Sequence, residues 1–322
     1  MRPVGQGRIA GSKGARQIYR RSSVKVSDAL KRWKTEMTTE FVEGLRRLAV
    51  GRVHAMAGFE SCWPTWRSEI AKLTSDLTSA DQVYELGSNL RAVFRLTASV
   101  GRDQGSLSGG GAAWEGLVCW YLNLVLTGTS AVVVKQSRSL IPSALSDAIS
   151  VNYNNTQTNT ESDLSGIVFP EGDPFLLRPY DRAECEAFVA QNLARISLHN
   201  IQCKTNWNDN AQIPMLWDMV YRAKGFRDSG VSVGRNGRSI ADLRGYSYSF
   251  VTLPSQNSLF AANQMAVKRV AGLSGRNFWG LPTDSGVAWS ISEMFKHVFG
   301  DEVIGDVRGH IQNLIRTGAI SL

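Results

Sequence analysis

Residues 195–205 read Arg195-Ile196-Ser197-Leu198-His199-Asn200-Ile201-Gln202-Cys203-Lys204-Thr205. The run is apolar enough for a β-strand, and strand alternation turns Gln202 and Lys204 to one face and Cys203 to the other. Upstream, Asp163 opens a second apolar run, Leu164-Ser165-Gly166-Ile167-Val168-Phe169. An aspartate at one strand and a lysine at the next set a carboxylate beside an ammonium. One reading is a buried ion pair that ties the strands together. The other is a pair able to hold a divalent cation and a water beside a phosphodiester.

Outward from this pair, the pattern predicts a mixed central β-sheet flanked by helices, an α/β class, behind a helical N-terminal region. Residues 1–26 are rich in Gly, Arg and Ser and read as a flexible basic arm. Residues 27–105 read as helical. Leu30, Trp33, Met37, Phe41, Leu45 and Leu48 recur at three- and four-residue steps, a short helix is expected after Pro64, and Val83, Leu86, Leu90, Val93 and Leu96 share a stripe. Residues 106–322 carry the remaining elements. These are an apolar helix over 112–126 containing Glu115, a buried strand ending in Lys135, a polar loop over 152–162, the Asp163 strand, a helix over 181–193 and the Lys204 strand. Beyond it come a helix opened by Pro214, a Gly/Arg-rich loop over 225–245, a strand over 246–253, and helices over 261–271, 287–299 and 309–316.

Composition limits the function classes. Hydrophobic residues make up 43% of the 322-residue chain, enough for a substantial core. No apolar run reaches the length of a membrane span, and the first apolar stretch stands away from the start, so neither a membrane segment nor a secretory leader is expected. Four scattered cysteines without a CxxC fit a reducing, cytoplasmic setting, and the spacing of His54, His199, His297 and His310 does not suggest zinc. Residues 1–60 hold thirteen Lys/Arg against five acids, so the whole net charge of +8 resides there. A basic arm on a balanced body suits a polyanion partner; a solubilising or organelle-targeting tail has the same composition.

The chemistry of phosphodiester hydrolysis needs an activated water and stabilised phosphoryl charge. Carboxylates that bind Mg²⁺ and a nearby lysine supply both. With Ser162-Asp163 on one strand and Gln202-Cys203-Lys204 on the next, residues 110–225 resemble the type II restriction endonucleases of the PD-(D/E)xK fold. The resemblance implies metal ligation by Asp163, water positioning by Lys204, and an acidic helix before the core, matched by the helix of Glu115. The chain departs from the pattern at two points. No proline precedes Asp163, and Gln202 replaces the usual second carboxylate. Some members move that carboxylate onto the following helix, and fourteen residues after Lys204 stands Asp218. The expected metal set is therefore Asp163, Asp218 and Glu115, with Gln202 as the alternative to Asp218. Glu115 also has a plainer reading, on a wet stripe shared with Asn123; Asp218 has one as an exposed helix residue.

Candidate DNA contacts are Asn206, Asn208 and Gln212 in the amide-rich stretch after Lys204, Arg235 and Arg238 in the glycine-rich loop, and Arg276 with Asn277 before Phe278-Trp279. Amides read adenine edges and arginine forks read guanine; amides also cap helices, and arginines also decorate surface loops. The expectation is a Mg²⁺-dependent, sequence-specific endonuclease acting on double-stranded DNA as a homodimer. The rival is a non-catalytic nucleic-acid-binding or packaging protein, and a closer enzymatic alternative is a structure-specific nuclease.

Overall fold

The computed structural model describes residues 40–96, 107–136, 140–153, 156–158, 163–205, 231–253, 262–263, 265–279 and 289–322. Four helices come first: α1 (Glu40–His54), α2 (Ala57–Leu73), α3 (Ala80–Arg95) and α4 (Leu107–Val125). They are followed by β1 (Ala131–Lys135), α5 (Ser143–Ala148), β2 (Val151–Tyr153), β3 (Thr156–Thr158), β4 (Leu164–Val168), α6 (Arg182–Gln191) and β5 (Ser197–Lys204). After these come β6 (Val231–Val233), β7 (Gly245–Thr252), α7 (Met265–Ala271), β8 (Asn277–Trp279), β9 (Trp289–Ser290), α8 (Met294–His297) and, near the end, α9 (Val307–Thr317).

The central sheet has six strands in the order β1-β4-β5-β7-β8-β9. β4 runs antiparallel to both β1 and β5, whereas β7, β8 and β9 continue parallel to β5. The expected α/β architecture with a mixed sheet is therefore present. Alternation sorts the strand side chains into two cores. Ala131, Val133, Leu164, Val168, Ile201, Cys203, Val251 and Phe278 pack with α2, α3, α4 and the C-terminal helices. Val132, Val134, Ile167 and Leu198 pack on the other face with α1, α5 and α6.

Two polar groups lock the helices to the outer strand. Asn123 of α4 donates to the Val133 carbonyl at 2.7 Å and accepts from the Val133 N–H at 3.0 Å, so an edge strand finds hydrogen-bond partners on a helix. Arg46 of α1 is buried and donates to the Ala131 carbonyl at 2.7 Å, to the Thr129 carbonyl and Asn123 Oδ1 at 3.3 Å, and to Glu43. Asn123 is thus no part of a wet stripe, which removes that reading of Glu115.

Local propensity and tertiary packing part company in a few places. Pro64 lies inside α2 rather than before it. Pro64 and Glu60, whose carbonyl loses its helical donor, are both exposed, and burial of Phe59, Cys62, Trp66 and Ile70 carries the helix through. The polar stretch expected as a loop contains β2 and β3, because β2 pairs with β6 as well as with β3 in a second, three-stranded sheet. Residues 277–279 and 289–290, expected as loop and helix, add strands to the main sheet. No helix among the described residues is long and apolar enough to cross a membrane.

Candidate active site

The antiparallel register brings three strand termini together. Lys135, the last residue of β1, stands opposite Leu164, and Leu164 stands opposite Ile201. Asp163, just before β4, and Lys204, the last residue of β5, therefore lie at the same end of the sheet. The Gln136 N–H donates to the Asp163 carbonyl at 3.1 Å, which pins the aspartate backbone to β1. Its carboxylate Oδ2 accepts the Cys203 N–H at 2.7 Å.

Glu115 reaches this end from α4, whose neighbouring Trp114, Leu117 and Val118 are buried in the core and fix the helix against the sheet. Lys135 Nζ stands 2.5 Å from Glu115 Oε2, and both side chains are largely covered. The Asp163 carboxyl is pushed up to about 6, chiefly by burial and next by the Glu115 charge, while the Cys203 N–H, Lys204 and Lys135 pull it back. Two carboxylates and two ammonium groups thus feel one another here. Lys204 is half-buried, and no described acid lies within ion-pair distance of it. The Cys203 thiol is pushed well up by burial and by the Asp163 and Glu115 charges. It is no thiolate nucleophile; its contribution is the backbone N–H.

Gln202 follows a different course. It is fully buried, and its Oε1 accepts the Tyr248 hydroxyl. Beside it runs a polar row across β1, β4, β5 and β7: Gln136 Nε2 donates to Ser165 Oγ at 3.0 Å, Ser165 Oγ to Asn200 Oδ1 at 3.4 Å, and Asn200 Nδ2 to the Tyr246 hydroxyl at 3.3 Å. A satisfied buried network of this kind rigidifies the strands that carry the site. Its sequence signal is confined to two strands: Asn200, Gln202 and Lys204 alternate along β5, and Tyr246 and Tyr248 alternate along β7. Lys135 was equally visible, as the charged end of an apolar run, but nothing in the sequence tied it to Glu115.

Among the described residues no group of three or more His, Cys, Asp or Glu side chains could hold a metal ion. Asp163 and Glu115 are the carboxylates that the fold brings together. Asp218, Asn206, Asn208 and Gln212 lie outside the described residues.

The other arginines separate into two cases. Arg235 and Arg238 flank a tight turn in which Asn236 and Gly237 have φ of 53° and 72°, the left-handed pair that an Asn-Gly hairpin turn requires. Both guanidiniums face Asp147 of α5, at 2.5 Å and 3.4 Å, and Asn236 donates to the same carboxylate at 2.9 Å. They close a turn onto a helix, which is a structural task. Burial opposes ionisation of Asp147, but the Asn236 hydrogen bond and the two arginines outweigh it and hold the carboxyl below its usual range. Its stabilising effect is present above the unfolded value near pH 4 and is lost as pH falls through the lowered one. Asp147→Asn is expected to lower stability at pH 7 by about 2 kcal/mol and to flatten the acid limb of the stability curve. Thermal melts between pH 3 and 7 check this, and wild-type acid sensitivity in the variant would contradict it. Arg276, by contrast, is exposed, whereas its neighbour Asn277 is buried in β8 and faces no solvent.

No protein-family model matches the chain, and no curated protein matches it.

Proposed function

We propose that the protein is a Mg²⁺-dependent endonuclease of the restriction type that hydrolyses phosphodiester bonds in double-stranded DNA. The observation that carries this reading is the meeting of Asp163 and Lys204 at one end of adjacent antiparallel strands, with Glu115 close enough to raise the aspartate. The chain order also supports it: an acid-bearing helix, a strand, the aspartate before the next strand, and the lysine at the end of the third.

The donor set suits a hard cation. Asp163 and Glu115 offer carboxylate oxygens, and their mutual repulsion is relieved by positive charge. They are the residues that would hold Mg²⁺, with Asp218 the candidate third ligand; Gln202, engaged by Tyr248, is the weaker one. A bound Mg²⁺ supplies an acidified water and neutralises phosphate oxygens. The chain's own groups do the rest. The Cys203 N–H fixes the orientation of the Asp163 carboxylate. Lys135 balances the Glu115 charge. Lys204, with no described acid holding it, is available to orient the water and to face the charge growing on the phosphoryl oxygens. Palindromic targets match a two-fold protein, so the working form is a homodimer, and a cytoplasmic setting suits four reduced, buried cysteines.

Incubation of the full chain with plasmid DNA and Mg²⁺ tests the reading. Discrete bands that vanish with EDTA are the expected result. Retardation without cutting, even at high enzyme, would instead identify a non-catalytic DNA-binding protein, as the basic residues 1–60 alone would suggest.

A further inference from the structure

Arg276 has a backbone that resists its side chain. Its φ is 64°, a left-handed conformation natural to glycine and uncommon for arginine. The cause lies one residue earlier. Gly275 sits so close to β7 that a Cβ there would stand 2.6 Å from the Tyr248 carbonyl oxygen, and its N–H donates to that carbonyl at 3.0 Å. The chain must turn sharply to enter β8, and the turn falls on Arg276.

The side chain is nevertheless held in an ordered place. Its guanidinium lies over the Trp289 ring, 4.4 Å from the centroid, and Trp289 stacks on His297 at 3.6 Å with the rings 15° apart. Stacking orders the guanidinium plane but uses none of its N–H donors. Among the described residues no acceptor or acid takes those donors. Glu293, the acid that His297 feels, is committed to the Ser290 N–H at 2.9 Å. Lys268 and Lys296 on the adjoining α7 and α8 are exposed, as are Arg276 and His297. The cluster stands at the edge of the sheet, since among the described residues β9 pairs only with β8.

An exposed arginine pre-ordered on an aromatic ring, with a fork that no described residue takes and with Lys296 close enough for His297 to feel its charge, presents its donors to an anion. We propose that the Arg276–Trp289–His297 stack is a docking point for the phosphate backbone of DNA, separate from the site of cutting. The inference rests on the DNA reading given above. Trp279 aligns with Thr252 and Thr252 with Lys204, so Arg276 lies three residues along and two strands across from Lys204. Strand geometry makes that roughly 14 Å, a reach of about four base steps at 3.4 Å each. A phosphate contact at that distance fixes register without reading bases, which moves Arg276 from the base-reading role expected of it to a positioning one.

The test uses Arg276→Gly and Arg276→Lys in the full chain carrying Asp163→Asn, with Ca²⁺ in place of Mg²⁺ so that DNA is bound and not cut. Arg276→Gly relieves the backbone, so its melting temperature should be equal or higher while its affinity for a DNA duplex falls five- to twenty-fold. Its log K against log salt slope should be shallower by about 0.9, the loss of one phosphate contact. Arg276→Lys should keep the slope and recover part of the affinity. An unchanged affinity and slope in Arg276→Gly, with the parent binding DNA normally, overturns the docking point and leaves the nuclease reading intact. Failure of the wild-type chain in Ca²⁺, as well as the parent, to bind DNA at any salt overturns both.

Discussion

Asp163→Asn is expected to make the metal-free protein more stable at pH 7 and, in the same molecule, to abolish DNA cleavage. The folded carboxyl titrates near 6, above its ordinary value, because burial and the Glu115 charge disfavour the anion. A raised acid binds its proton more tightly in the folded chain than in the unfolded one. Its effect on stability is therefore most favourable below about pH 4, declines between about 4 and 6, and remains unfavourable above. Asparagine removes the charge and keeps an oxygen to accept the Cys203 N–H. The gain should be about 1–3 kcal/mol at pH 7, a few degrees in melting temperature, and should shrink towards zero near pH 4. Cleavage should fall at least about a thousandfold, since the carboxylate is the central metal ligand. Added Ca²⁺ should raise the melting temperature of the wild type more than that of Asp163→Asn. A variant that is both less stable and fully active would show a structural aspartate and remove it from the chemistry.

Much of this arrangement was legible in the sequence, for identifiable reasons. The strands beside Asp163 and Lys204 announce themselves because both lie inside the sheet, are buried on both faces, and carry enough Leu, Ile and Val to stand out from the polar stretches around them. The α3 helix shows its start because Ser79 accepts the Gln82 N–H, and its stripe of Val83, Leu86, Leu90 and Val93 faces the core. What stayed hidden depends on distant partners. The charge of Arg235 reads the same whether it meets DNA or Asp147, and its partner stands 88 residues away. The pairing of Lys135 with Glu115 joins the end of a strand to the first half of a helix, and no period connects those positions. The β2 and β3 strands are too polar and short to be read alone; they exist because β6 supplies a partner. Asn277 offers an amide next to an arginine, a pattern that suits base recognition, yet its register with Phe250 buries it.

The two lysines of the site are expected to separate cleanly under substitution. Lys204 has no described acid within ion-pair distance and is half-buried, so Lys204→Ala should change stability by less than about 1 kcal/mol. Cleavage should drop by about 10²–10⁴-fold, the range lost when a group that meets transition-state charge is removed. Ca²⁺ binding, followed by calorimetry, should survive, because the carboxylates are untouched. Lys135 differs because it neutralises Glu115 at 2.5 Å and helps to lower the Asp163 carboxyl. Lys135→Met fills the same volume but leaves two carboxylates facing each other. The metal-free variant should lose about 1–3 kcal/mol, and Ca²⁺ should restore most of that loss. The acid limb of its cleavage profile should move to higher pH, since Asp163 now holds its proton more tightly. A divalent cation no longer competes with an ammonium for Glu115, so Ca²⁺ should bind more tightly than in the wild type. Activity retained by Lys204→Ala and lost by Lys135→Met, without recovery at higher pH, would transfer the catalytic lysine from β5 to β1.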